Sequence, residues 1–209
     1  MPRGYWIPHL DVHDMKGFQA YRDMADAGHK SFGSKLLVRG GRREVLEGQM
    51  RARNVLREFN SFDEAVAYYR GPDYSKAHPL REPYSECDFV IVEGFDGPQP
   101  ARASNAPPPA ARKGYWLVNI DVTDPEGYRP YQDLASAAFS MFGARYVVRG
   151  GRQEITEGRA RSRTVVVEFP SYEAALACYR SAEYRKAIDA RAGKATFDML
   201  AIEGYDGNN

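Results

Sequence analysis

Arg39-Gly40-Gly41 recurs 110 positions later as Arg149-Gly150-Gly151, within the longer matches VRGGRREVLEG (Val38–Gly48) and VRGGRQEITEG (Val148–Gly158). An arginine fork next to a glycine pair can hold a carboxylate or enolate bidentately, while the glycines let backbone N–H groups approach an anion. Arg53 and Arg163 fall near the same turn in the two copies. The competing reading is structural: a hairpin turn, with the arginines paired to Glu44, Glu47 or Glu58 and to Glu154, Glu157 or Glu168. Asp11 and Asp121 end matching strands, where each could serve as a general base or be merely an exposed residue or a capping partner of the following helix. His9, His13, His29 and His78 all lie in the first copy, opposite Asn119, Thr123, Phe139 and Ile188. His9 shares the mixed face of its strand with Tyr5 and Asp11, which makes it the leading imidazole for proton transfer. The catalytic candidates are therefore His9, Asp11, Arg39, Asp121 and Arg149. Tyr5, Arg53, Tyr69, Tyr74 and Arg81, with Tyr115, Arg163, Tyr179, Tyr184 and Arg191, are candidates for lining a pocket, although tyrosine more often packs a core. No HxxxH or HxH pair suggests a metal.

These residues need a frame, and the chain supplies it twice. With a shift of 110, Gly4–Gly97 aligns without a gap on Gly114–Gly207, and roughly 40 of about 94 positions are identical. The expected domains are 1–97 and 113–209, joined by the Pro/Ala-rich linker 98–112. That linker would be extended and semi-rigid. In each copy, Trp6, Pro8, Leu10 and Val12, or Trp116, Val118, Ile120 and Val122, alternate with polar or mixed residues as in a half-buried strand. A helix follows. In the second copy Asp124 reads as its N-cap and Pro125 as its first residue, leaving Pro130 inside it as a potential kink. Gly33 and Gly143 are natural C-terminal stops. Strands are expected at Lys35–Arg39 and Arg53–Phe59, with GGRREVLEG as the turn between them. A capping box at Ser61/Glu64 opens the second helix, which breaks at Gly71-Pro72, and a strand over Asp88–Gly94 closes the unit.

The order βαββαβ is the ferredoxin-like split unit, with four antiparallel strands and two helices on one sheet face. The fold class is α+β. The other sheet face must be covered, so the expectation is two such domains packed sheet to sheet as an intramolecular α/β barrel.

The motif string GYWI, DVHD, FG, VRGG, EVLEG, EF-x-S and VEG resembles the domain of unknown function numbered 1330, of the dimeric α/β-barrel superfamily, over nearly the whole of both copies. The resemblance implies paired units and a small-molecule cleft. Superfamily relatives include cofactor-independent oxygenases, lactone isomerases, polyketide cyclases and haem-handling enzymes. It names no reaction, because fold is not function.

The bulk numbers set the remaining expectations. A net charge of +1, with arginines interleaved among glutamates, gives no basic stripe for nucleic acid. No apolar run approaches the length of a membrane span, and the N-terminus lacks the apolar core of a signal peptide. The two cysteines, Cys87 and Cys178, do not align; they fit buried thiols in a reducing, cytoplasmic setting. The expected partner is a small molecule, with an internal pseudo-dimer and room for a homodimer. The expected activity is acid–base chemistry of isomerase, cyclase or oxygenase type on a polar or aromatic metabolite in a sheet–helix cleft. No metal or organic cofactor is expected. The alternative is a non-catalytic ligand-binding module.

Overall fold

The computed structural model describes residues 1–207 and contains ten strands and six α-helices. In the first repeat these are β1 (Gly4–Val12), α1 (Gln19–Phe32), β2 (Lys35–Arg39), β3 (Arg43–Glu47), β4 (Arg53–Phe59), α2 (Phe62–Arg70), α3 (Pro72–Ala77) and β5 (Ser85–Glu93). In the second they are β6 (Gly114–Val122), α4 (Arg129–Phe142), β7 (Arg145–Arg149), β8 (Gln153–Glu157), β9 (Arg163–Phe169), α5 (Tyr172–Arg180), α6 (Ala182–Ala190) and β10 (Ala195–Glu203). The α+β class and the two repeated halves are as the sequence implies. Among the described residues, no helix is long and apolar enough to cross a membrane.

The stretch expected to be a turn contains a strand. REVLE and QEITE have too few apolar residues to bury a face of their own. They are held instead by pairing to a strand edge of the other repeat's sheet. β8 pairs antiparallel with β5, setting Ile155 opposite Val90, and β3 pairs with β10, setting Val45 opposite Leu200. Each sheet therefore has five strands rather than four, in the orders β2-β4-β1-β5-β8 and β3-β10-β6-β9-β7. The compact units follow the exchange. One comprises residues 1–39, 51–94 and 151–160; the other comprises 40–50, 95–150 and the described residues from 161 onward.

The end of each exchanged strand is fixed by an aspartate. Asp88 Oδ1 accepts from Arg159 N at 2.9 Å, and Asp198 Oδ1 accepts from Gln49 N at 2.9 Å. Gly158 and Gly48, at φ 63° and 62°, leave room for those carboxylates: a Cβ at either would stand 2.2 Å from the aspartate oxygen. A buried ion pair then ties each exchanged strand down. Arg81, 2% exposed, donates to Glu157 of β8, which also accepts from Tyr69 Oη at 2.8 Å and lies 3.2 Å from His78 Nε2. In the other unit Arg191 pairs with Glu47 of β3, and Tyr179 Oη donates to Leu46 O at 3.0 Å.

The local signals hold where they are strong. Ser61 Oγ accepts from Glu64 N at 3.1 Å, and Gly33 and Gly143 end their helices at φ 78° and 65°. The α4 start differs from the expectation. Asp124 Oδ1 accepts from Gly127 N at 3.0 Å in a turn, and the helix begins at Arg129. Pro130 thus sits in the first turn, where its missing N–H has no intrahelical partner to lose, and it does not act as a kink.

Candidate functional site

In the first unit a cleft opens between α1 and the sheet face formed by β1, β2 and β4. Strand alternation sends Trp6, Pro8 and Leu10 into it, along with Arg53, Val55 and Arg57. α1 contributes Tyr21, Arg22, Asp26 and His29, and β2 contributes Leu36 and Arg39. The cavity is ≈ 60 Å³. A water position takes roughly 10–15 Å³ on this scale, so there is room for a small organic group.

Its charges are unbalanced. Arg39 Nη2 meets Asp26 Oδ2 at 2.6 Å, which takes up the one carboxylate in the lining. Among the described residues, no carboxylate lies within ion-pair distance of Arg22, Arg53 or Arg57. Burial, together with Arg22 and Arg39, holds the Arg53 guanidinium below its ordinary pKa. Burial pushes Arg57 down to about 10. Arg22 Nε is buried without a hydrogen-bond partner.

A short polar relay lies against this charge. Arg57 Nη1 donates to Ser34 Oγ at 3.2 Å, and Ser34 Oγ is 3.3 Å from both His29 Nδ1 and His29 O. His29 sits edge-on to Trp6 at 5.1 Å, and Tyr68 lies 4.9 Å from it. Burial, reinforced by Arg57 and Arg39, drives the imidazole down to about 2, so at neutral pH it is uncharged. With Nδ1 facing Ser34, Nε2 is the nitrogen left for a ligand.

The second unit has the equivalent cleft, at ≈ 30 Å³. There the three relay positions are Val167, Ala144 and Phe139, so arginine, serine and histidine have all become apolar. Arg22 becomes Gln132 and Asp26 becomes Ser136. Arg149 lies over the Tyr146 ring at 4.4 Å, and Arg163 Nη2 donates to Arg149 O at 3.4 Å. Phe139 packs edge-on to Trp116 at 5.5 Å.

The structure gathers some of the sequence candidates and separates others. Arg39 and Arg53 line the first cleft; Arg149, Arg163 and Tyr184 line the second. The glutamate partners offered for Arg39 give way to Asp26, one helical face away. His9, Tyr5 and Asp11 occupy the opposite face of β1 from the cleft. His9 Nδ1 is 2.6 Å from Asn54 Oδ1, and Tyr5 Oη donates to Glu58 at 2.9 Å, as Tyr115 Oη does to Glu168 at 3.0 Å. Asp11 receives Arg51 Nη1 at 2.9 Å and Ala52 N at 2.7 Å. Asp121 receives Arg161 Nη1 at 2.9 Å and Ser162 N at 2.8 Å, and the Ser162 hydrogen bond leads in holding its pKa low. Arg81, Tyr69, Arg191 and Tyr179 serve the exchanged strands. Tyr74 is core, and Tyr184 Oη is 2.9 Å from Tyr131 Oη. Cys178 is buried and Cys87 half-buried; burial raises both thiols, Cys87 to about 12.

Sequence reasoning passed over Arg57, Ser34, Arg22 and Asp26, and noted His29 without choosing it. The available signal was the repeat itself: polar in one copy and apolar in the other at 29/139, 34/144 and 57/167.

The His29 environment makes a prediction about acid stability. An unfolded histidine takes up its proton near 6.5, whereas folded His29 resists down to about 2. The native state therefore loses stability as pH falls through that window, by about 2 kcal/mol at pH 5. His29→Phe removes this loss. Its acid unfolding midpoint, followed by circular dichroism, is expected to shift to lower pH; an unchanged midpoint would contradict the burial of a neutral imidazole.

Among the described residues, no group of three or more His, Cys, Asp or Glu side chains is gathered as a metal would need. Cavities of ≈ 60 and ≈ 30 Å³ do not fit a haem, so no step is derived through one.

The profile of the domain of unknown function DUF1330 matches residues 3–95 and again 113–205. No curated protein matches the chain. Among solved structures, an anthrone oxidase-like protein is similar at 10% identity and TM-score 0.51, covering 100% of this chain and 95% of its own. A mutant chlorite dismutase from Candidatus Nitrospira defluvii in complex with cyanide gives 6% identity and 0.57, covering 97% and 90%. A dye-decolorizing protein from V. cholerae gives 8% identity and 0.55, covering 96% and 93%. At such identities the likeness is one of fold, the dimeric α/β-barrel type built from two repeated halves.

Proposed function

The chain belongs to the DUF1330 family through both of its halves, and from that premise we propose that it is a small-molecule enzyme whose working site is the cleft of the first repeat. The reaction is acid–base chemistry of isomerase, cyclase or oxygenase type, run without an organic cofactor on a polar or aromatic metabolite. The observation that carries this reading is the relay Arg57–Ser34–His29, present in one cleft and replaced by Val167, Ala144 and Phe139 in the other. A buried polar cluster costs stability. Its presence in one of two otherwise similar clefts points to use.

The neutral imidazole can accept a proton at Nε2 from a carbon acid. The guanidinium groups then stabilise the enolate or phenolate that forms, in a site where their charge is poorly screened. Neutralising that arginine field with an anion also relieves the part of the pressure on His29 that comes from Arg57 and Arg39, the larger part being burial. In an oxygenase-like reaction the resulting carbanion would pass its electrons to dioxygen. The anthrone oxidase-like structural neighbour puts aromatic carbon acids on the substrate panel.

The test is a panel of enolisable acids, ketones and anthrones, followed by deuterium exchange at carbon and by oxygen uptake. Wild type is expected to exchange or turn over at least one class, and His29→Phe to lose about 10²-fold or more. Turnover that ignores His29→Phe would contradict the reading. The low basicity of His29 favours a second reading, a non-catalytic binding module. It would show as saturable binding with neither exchange nor oxygen uptake.

A further inference from the structure

Building on the reading above, we propose that the first-repeat cleft selects a carboxylate: Arg22, Arg53 and Arg57 hold the carboxylate of a small molecule whose apolar body lies against Pro8, Leu36 and Val55. Charge comes first. The lining holds four arginines and one aspartate, and that aspartate is already paired with Arg39. Three guanidinium groups, Arg57 buried and Arg22 and Arg53 half-buried, therefore face the cavity region with no carboxylate at ion-pair distance, and charge withdrawn from water without such a partner is costly. An anion in the cleft removes that cost, so the free protein is poised for one.

Hydrogen bonding comes second. Arg22 Nε is buried and unpartnered, and the hydrogen bond found for Arg57 goes to a neutral hydroxyl. Guanidinium groups present planar pairs of N–H donors that match the two oxygens of a carboxylate. The third point is size and wall chemistry. A cavity of ≈ 60 Å³ with proline, leucine and valine beside the arginines suits a carboxylate on an apolar stem better than a bare, heavily hydrated inorganic anion.

The second cleft lacks the set. Gln132 and Val167 stand in for Arg22 and Arg57, and the cavity shrinks to ≈ 30 Å³. The stoichiometry is therefore one ligand per chain.

Titration calorimetry on the full chain tests this, with benzoate, its neutral isostere benzamide, and inorganic phosphate as probes. Benzoate is expected to bind once per chain, at least ten-fold more tightly than either of the others. Arg57→Val and Arg22→Gln, each the second repeat's own residue, are expected to weaken benzoate at least ten-fold. If one of them fails to fold, the other still reads out the site. Failure of benzoate to bind, benzamide or phosphate binding as tightly, two benzoates per chain, or unchanged affinity in the variants would each overturn the proposal. Its failure is separable from that of the enzyme reading. Benzoate binding without any exchange or turnover defeats the enzyme and leaves the carboxylate site. Turnover that His29→Phe abolishes, in a protein that binds no benzoate, does the reverse.

Discussion

Glu157→Gln is expected to destabilise the protein by about 3–5 kcal/mol, lowering its thermal midpoint by roughly 6–20 °C. Arg81 is 2% exposed, and among the described residues Glu157 of the exchanged strand β8 is its one carboxylate partner. Amide replacement keeps the shape and can still accept from Tyr69, but it leaves a guanidinium buried without a counter-charge. Glu157 is suited to the role: burial pushes its pKa up, and the Arg81 charge, hydrogen bonds from Arg81 and Tyr69 and the nearby His78 ring outweigh this and hold it low. A carboxyl with a depressed folded pKa stabilises above its unfolded value near 4.5 and loses that contribution as pH falls below it. Replacing both partners with methionine is expected to recover most of the loss, since the penalty comes from the unpaired charge rather than from the missing pair. Thermal melts of the single and double variants decide it. A midpoint for Glu157→Gln within 2 °C of wild type would show that β8 is not held by this pair.

The second large effect has the opposite sign. The triple substitution His29→Phe, Ser34→Ala and Arg57→Val is expected to stabilise the chain by about 1–4 kcal/mol, or roughly 2–16 °C, while abolishing binding in the first cleft. The template for the repacked site is already in the molecule. Phe139, Ala144 and Val167 fill the same positions beneath Trp116, and Phe139 meets that ring at 5.5 Å much as His29 meets Trp6 at 5.1 Å. The exchange removes a buried imidazole and a buried guanidinium that has no carboxylate at ion-pair distance. Function commonly costs stability in this way. Melting temperature and benzoate titration on one sample read both effects. A destabilised triple variant that still binds benzoate would contradict the assignment on both counts.

Much of the frame was readable without coordinates because its signals are local. The alternation of β1, the Ser61 cap and the glycine stops at Gly33 and Gly143 all lie within a few residues of what they specify, and the 110-residue repeat shows on comparing the chain with itself. The strand exchange was not readable. REVLE and QEITE carry mostly charge, and what makes them strands is an edge more than 60 residues distant in one case and about 150 in the other. The candidate site fell between these limits. Arg39 and Arg53 were visible as strand-end arginines, but strand parity puts His9 and Asp11 on the other face of the sheet from them. Arg57 reads locally as one more polar strand residue. Only the fold brings it to Ser34, 23 positions away, and through Ser34 to His29.

The most direct measurement is a crystal structure of the full chain with 4-bromobenzoate, whose bromine marks the ligand by anomalous scattering. The expected result is one bromine per chain in the first cleft, with the carboxylate within hydrogen-bond distance of Arg57 and of Arg53 or Arg22, and an empty second cleft. Bromine in the second cleft alone, in both clefts, or only on the outer surface would contradict a single working site built by Arg57, Ser34 and His29.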